Sequence, residues 1–369
     1  MFEGRDVMAK ANTPIIIGNR TCKNRITMAP TVKFAAGLDG MVTDEFVRHY
    51  EKRAEHGVGL IVVEATCVAK EGRLAPSQLG LWCDEQIEGH KRITEAVHRH
   101  DTLIIPQLHH GGLGTHPECG PIVSPTRVMW NNGFAEVEAQ EMSHDDIQRV
   151  IGQFVDAAVR AKIAGYDGVQ LHACHAYLIN DFASNVNKRT DEYGGSLENK
   201  ARFCCEIIKG IREKCGEDFI ISSRISGADP TVAESKEIAG YYVEAGCDFL
   251  QVSCGIGEFD DVPYDEALPY NRIAALGVDM HRAFKGKVPV STVNDLRTVE
   301  KVKFLLENDL VDTVDLGCGL LADPAFTEAI LYDAPYVGCF SCPGCAFGPG
   351  HSHPCPAMRI RGDNEFSLG

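Results

Sequence analysis

No run of eighteen consecutive apolar residues occurs in this chain, so no segment reads as a transmembrane helix. Its opening residues, MFEGRDVMAKANTP, lack the apolar core of a secretory signal. Positive charge is scarce: 36 lysines and arginines face 52 aspartates and glutamates, for a net charge of −16. That deficit argues against nucleic-acid binding, which needs a surplus of cations for phosphate contacts. Tryptophan is limited to Trp82 and Trp130, and no internal repeat or low-complexity linker precedes the last part of the chain. The first apolar run is followed by MAPTVKFAAGLDG rather than a G-x-G-x-x-G turn, which removes the usual fingerprint of a doubly wound dinucleotide fold.

What is present describes a globular protein of 369 residues, 44% hydrophobic and 24% charged, enough for one large core or two ordinary domains. Fifteen cysteines without an export signal point to a reducing, cytoplasmic compartment in which thiols are free or hold metal. Eight short, nearly continuous apolar runs follow one another: RITMAP, GLIVVEAT, TLIIPQL, GVQLHA, FIISSRIS, FLQVSC, VPVSTV and VDTVDLG. Amphipathic stretches lie between them, such as 145–165, where Ile147, Val150, Ile151, Phe154, Val155, Ala158 and Ala161 recur at helical spacing. Gly165 and Gly216 suit helix ends. Eight buried strands alternating with helices predict an α/β fold, a (β/α)8 TIM barrel of ~250 residues or more. We place it at 1–335 and treat the Gly/Pro/Cys-rich segment 336–369 as a metal-binding tail.

In such barrels chemistry sits at the C-terminal strand ends. The fourth run leads into HACHAYLIND, which brings together His172, His175 and Tyr177. Two imidazoles can stabilise one developing oxyanion and a phenol can supply a proton; equally, an H-x-x-H pair can ligate metal or pack in a loop. Arg224 is a cation at the end of the fifth run, for a ligand or for a neighbouring carboxylate. Gln107 offers both an amide donor and an acceptor to a heterocycle edge. The glycines of DLGCGLLADP suit a phosphate held by backbone amides, or merely a tight turn.

The stretches CKNRITMAP, HYEKRAEHGVGLIVVEAT, PQLHHGG, NKRTDEYGGSLENKARF and LLADP together resemble the Old Yellow Enzyme family of FMN barrels. Within it the chain is similar to the iron–sulfur branch that includes 2,4-dienoyl-CoA reductases and trimethylamine dehydrogenase. The resemblance implies that Ala29, Pro30, Thr31, Val32 and Ala65 lie by the flavin, Gln107 by its pyrimidine edge and Arg224 by N1 and O2. It implies that His172 and His175 bind a substrate carbonyl oxygen while Tyr177 protonates Cα and flavin N5 delivers hydride to Cβ. Three positions depart from the family. Val32 stands where relatives often place Thr, Cys or His, which rules out a cysteinyl–flavin bond there. Asn294 replaces a phosphate-loop glycine, and Cys318 replaces an arginine on the FMN phosphate, leaving amides from Gly317 onward to hold it.

The tail carries Cys339, Cys342, Cys345 and Cys355 as C-x2-C-x2-C-x9-C, with His351 and His353 between the last two. Spacing alone admits zinc or an iron–sulfur centre; Cys355–Pro356 is similar to ferredoxin endings. The resemblance turns this toward a [4Fe–4S] cluster, although relatives space the cysteines more widely. Those relatives continue into FAD- and NAD(P)-binding domains. The expectation is therefore an FMN- and [4Fe–4S]-dependent ene-reductase acting on a small-molecule substrate. Its electrons would come from an external donor, ferredoxin-like or a flavoprotein subunit, in a homo- or hetero-oligomer if one forms. Amine dehydrogenation of the trimethylamine dehydrogenase type, or a non-catalytic zinc-bearing barrel, are the alternatives.

Overall fold

The computed structural model describes residues 10–133, 135–343, 345 and 355–362; His351 and His353 lie outside them. Eight parallel strands close on themselves: β1 (Ile26–Met28), β2 (Leu60–Cys67), β3 (Leu103–His109), β4 (Gly168–Ala173), β5 (Ile220–Ser226), β6 (Phe249–Ser253), β7 (Val290–Val293) and β8 (Thr313–Leu316). Each pairs with the next in sequence and β8 pairs with β1, which is the expected (β/α)8 barrel. Every position of β2, β4, β5 and β6 is buried. Strands covered on both faces are stable only where helices wrap the sheet. Here the wrapping helices are α1 (Asp44–Glu55), α2 (Ile87–His98), α3 (His144–Ile163), α4 (Leu197–Cys215), α5 (Val232–Glu244), α6 (Arg272–Phe284), α7 (Val299–Glu307) and α8 (Phe326–Tyr332).

Local chemistry fixes where these helices start. Ser143, Ser196, Thr231, Asn271 and Thr298 each accept a first-turn backbone N–H with their side chains. Helix α4 stops at Gly216, whose φ of +80° suits a residue without Cβ.

Inside the barrel, period-two alternation sorts side chains into layers. The floor is apolar: Leu60, Val62, Ile105, Ile220 and Phe249 pack with Ile17 and Cys22 of a hairpin, Ile15–Ile17 against Arg20–Cys22, that closes the lower end. Above it lies a buried polar layer. Gln107 Nε2 donates to Gln170 Oε1 at 2.7 Å, and Asp315 Oδ1 accepts from Gln251 Nε2 at 2.6 Å and Ser291 Oγ at 2.7 Å. Burial pushes the Asp315 carboxyl up, to about 6.

Two features were not anticipated from sequence. A three-stranded sheet of Val123–Ser124, Val128–Asn131 and Glu136–Glu141 fills the connection between β3 and α3. It is short, and its alternation is mostly between half-buried and exposed residues, so no apolar run betrays it. The stretch NKRTDEYGG braces it: Arg189 Nη1 donates to the carbonyls of Pro125 (3.0 Å) and Met142 (2.8 Å). Asn187 Nδ2 ties the carbonyls of Phe182 and Tyr193 together. The cysteine-bearing tail, in turn, packs back on the barrel. The backbone N–H of Val337 donates to Asp323 Oδ2 at 2.7 Å, and Arg361 Nε of the helix Pro356–Arg361 donates to the Ala322 carbonyl at 3.2 Å. Among the described residues, no helix is long and apolar enough to cross a membrane.

Phe249 is fully buried in the floor cluster. Replacing it by alanine should cost about 3–5 kcal/mol in urea unfolding. A loss below about 1 kcal/mol would show that the floor is not part of the cooperative core.

Candidate active site

The third inward layer, at the C-terminal strand ends, carries the reactive groups. His109 ends β3, His172 and Arg224 sit side by side in the β4–β5 register, and Ser253 ends β6. The imidazoles form a continuous chain across the mouth. His109 Nδ1 lies 3.1 Å from His172 Nδ1, His172 Nε2 lies 3.1 Å from His175 Nδ1, and His175 Nε2 lies 2.8 Å from Ser253 Oγ. The Tyr177 ring stands edge-on to His109 and His172, with centroids 4.5 and 4.6 Å apart. The three residues expected from sequence are thus brought together, with His109 and Ser253 added to them. Both additions obey the same inward period as Gln107 and Gln251, and that alternation was the signal available in the sequence.

A strained turn aims this group. His175 and Ala176 both have positive φ, +64° and +59°, a region that costs a residue with Cβ about 1–3 kcal/mol. Three hydrogen bonds hold the turn: His175 N–H to the Cys254 carbonyl (3.2 Å), Ala176 N–H to Asn180 Oδ1 (2.9 Å) and Leu178 N–H to the His110 carbonyl (3.2 Å). Asn180 is itself fixed by Asp229, whose carboxylate also accepts the N–H groups of Ile256 and Gly257.

Burial sets the protonation states. It drives His172 and His109 well below the ordinary imidazole range and His175 down to about 3, with the Arg224 charge adding to the effect at His172 and His175. Tyr177 is pushed up to about 12, so it holds its proton. A cavity of about 390 Å³ opens over this group, walled by Phe34, Leu74, Trp130, Asn131, His175 and Tyr177.

Candidate cofactor positions ring the same mouth. Ala29 and Ala65 are buried at the ends of β1 and β2, with Pro30, Thr31 and Val32 on the rim beyond Ala29. Beside Ala65, burial pushes the Glu64 carboxyl up, to about 7, while its Oε1 accepts the backbone N–H of Lys33. The polar layer keeps unmet capacity: Arg224 Nε and Nη1, Gln251 Oε1 and Asp315 Oδ2 are buried with no hydrogen-bond partner among the described residues. Each orphan costs about 1–3 kcal/mol. A heterocycle bearing both donors and acceptors, such as the pyrimidine edge of a flavin, fits that set. Near the phosphate candidates, Gly317 lies beside Thr31, whereas Asn294 is exposed at φ +91° and accepts from Asn271 Nδ2 at 2.9 Å.

Cys318, beside Gly317, lines a second cavity together with Cys339, Cys342, Cys345, Cys355 and Arg297. All four tail cysteines therefore converge on one place at the end of β8. A fifth thiol and a guanidinium that the sequence reading had not placed there join them. Hydrogen bonding to Cys345 and burial both raise the Cys318 thiol.

Comparison with known proteins agrees with this architecture. The family model described as NADH:flavin oxidoreductase / NADH oxidase matches residues 12–335. The chain is 38% identical to an NADH oxidase of Thermoanaerobacter brockii over 85% of its own length and 49% of the relative's. It is 35% identical to an NADPH dehydrogenase of Bacillus subtilis, covering 86% of itself and 93% of that protein. So the chain spans about half of the first relative and nearly all of the second. In structure it is similar to the old yellow enzyme homologue from Zymomonas mobilis, with a TM-score of 0.77, 27% identity, and 89% and 94% of the two chains covered. With the closed barrel and its polar mouth in place, these matches settle the kinship: the chain belongs to the NADH:flavin oxidoreductase / NADH oxidase family, the Old Yellow Enzyme family of FMN-dependent oxidoreductases.

Proposed function

We propose that this chain reduces a C=C bond conjugated to a carbonyl, and that it draws its electrons through an iron–sulfur centre in the cysteine cavity from a separate donor protein, ferredoxin-like or a flavoprotein subunit. One observation carries the reading: His172 Nε2 and His175 Nδ1 point at each other across 3.1 Å, beside a protonated Tyr177. At 3.1 Å one ring nitrogen donates to the other, so a substrate carbonyl oxygen would accept from both only by displacing this bond as the rings part. For both to donate at once, His172 must carry its proton on Nε2 and His175 on Nδ1. The remaining nitrogens must then accept, from His109 Nδ1–H and from the Ser253 hydroxyl. His109 and Ser253 therefore fix the tautomers.

Bound FMN would supply the hydride. Gln107 and the unpartnered edge of Arg224 would hold its pyrimidine side, with the fixed charge of Arg224 favouring the reduced, anionic form. Tyr177 would deliver the proton to the substrate, and the phenol is raised to about 12, so this acid is loaded at neutral pH. No carboxylate walls the 390 Å³ cavity among the described residues, which favours a carbonyl substrate over the amine cation of a dehydrogenase.

Cys339, Cys342, Cys345 and Cys355 would hold a [4Fe–4S] cluster. Thiolates suit zinc or an iron–sulfur centre alike, and the Cys355–Pro356 ending, similar to that of ferredoxins, supports the cluster.

Four outcomes are expected. Anaerobically purified protein should show flavin absorption with a broad iron–sulfur shoulder, whereas a colourless protein with stoichiometric zinc would overturn the reading. Tyr177→Phe should slow reduction of a cyclic enone by about 100-fold or more with flavin content unchanged; undiminished turnover removes Tyr177 as the acid. His109→Phe should raise the KM for the enone about tenfold, and His109→Gln, which keeps an N–H, should restore most of it. Equal effects of the two would show that His109 fixes no tautomer. Because His175 is held down to about 3, kcat/KM should carry no limb from it between roughly pH 5 and 8. An acidic limb near 6.5 that His175→Asn abolishes would show an ordinary, solvated imidazole.

A further inference from the structure

We propose that Cys318 is a fifth thiol ligand of the metal centre, interchangeable with Cys345; the proposal rests on the reading of the cysteine cavity as a metal site. Five cysteines, Cys318, Cys339, Cys342, Cys345 and Cys355, line one cavity, whereas a cluster or a tetrahedral ion takes four. The four tail thiols come from a Gly/Pro-rich segment, with Cys342 and Cys345 exposed. Cys318 is different in kind. It opens the helix Cys318–Ala322 directly after β8, so its backbone is set by the barrel rather than by the tail. Its side chain is in hydrogen-bond contact with that of Cys345, which places the two sulfurs against the same corner of the cavity.

The position also makes chemical sense of a departure from the family. An arginine at 318 would add a second guanidinium to a cavity that already holds Arg297, and would displace sulfur from its wall. A thiol there keeps the wall soft and able to lose a proton to a thiophilic metal. Because barrel packing has already ordered Cys318, coordination by it costs little further chain entropy. Cys345, by contrast, is an exposed residue of the tail. The two can therefore exchange at one coordination position, with Cys339, Cys342 and Cys355 as the constant ligands.

The test uses the whole chain, purified without oxygen, with iron, acid-labile sulfide and zinc measured per chain and the dithionite-reduced protein examined by EPR. Cys345→Ala should keep more than roughly half of the wild-type metal with a changed EPR line shape. Cys318→Ala should likewise keep metal, while Cys318→Ala/Cys345→Ala and Cys339→Ala should lose it. Retained flavin content in each variant controls for folding. A Cys345→Ala protein as empty as the double variant, beside a metal-loaded wild type, overturns the fifth ligand and leaves the metal centre standing. A wild type with zinc in place of iron and sulfide overturns the cluster, and the same variants then judge Cys318 by zinc content. A wild type with no metal overturns both.

Discussion

The mouth of this barrel depends on one left-handed turn. His175 and Ala176 occupy a backbone region that L-residues avoid, and they do so because the N–H groups of His175, Ala176 and Leu178 are all captured by neighbouring connections. Without that turn the chain leaving β4 would run outward along the strand direction. With it, Tyr177 folds back over the strand ends and meets His109 and His172 edge-on. The Asp229 carboxylate, accepting from Asn180, Ile256 and Gly257, links the turn to the connections after β5 and β6. The strain is local and its restraints are distributed, which is how a rigid scaffold holds a reactive constellation in place.

Burial does the electrostatic work. A low-dielectric mouth disfavours charge, so the imidazoles are neutral and the phenol stays protonated, while Arg224 brings a positive charge to His172 and His175. A neutral imidazole has one donor and one acceptor, so the tautomer of each ring is settled by what lies on its far side. That makes His109 and Ser253 as consequential as the two rings they flank. Below them the polar layer of Gln107, Gln170, Gln251 and Asp315 is satisfied only in part, and its orphans face the same interior. Stability has been given up there in a way that a bound heterocycle would recover.

The cysteine cavity follows from where β8 ends. Val337, Arg361 and Asp323 fasten the tail beside the helix that begins at Cys318, so the tail thiols gather at the barrel's own strand end. Sequence spacing singled out four of these cysteines. Sequence places Cys318 among the backbone amides expected at a phosphate, because nothing in a linear motif says that residues 318 and 345 are neighbours.

Much was legible in the chain itself. Eight apolar runs of strand length, separated by helical periodicity and capped by Ser, Thr, Asn and Gly, determine a closed parallel barrel, because doubly covered strands leave few other architectures. His172, His175, Tyr177, Arg224 and Gln107 were legible because polar residues at the ends of otherwise aliphatic strands stand out. Tertiary structure decided the rest. It put His109 and Ser253 on either side of the histidine pair, used the NKRTDEYGG stretch as a brace for a sheet too short and too polar to announce itself, and brought a fifth thiol to the other four. Each of these depends on contacts between residues far apart in sequence, which barrel closure fixes and which no local pattern encodes.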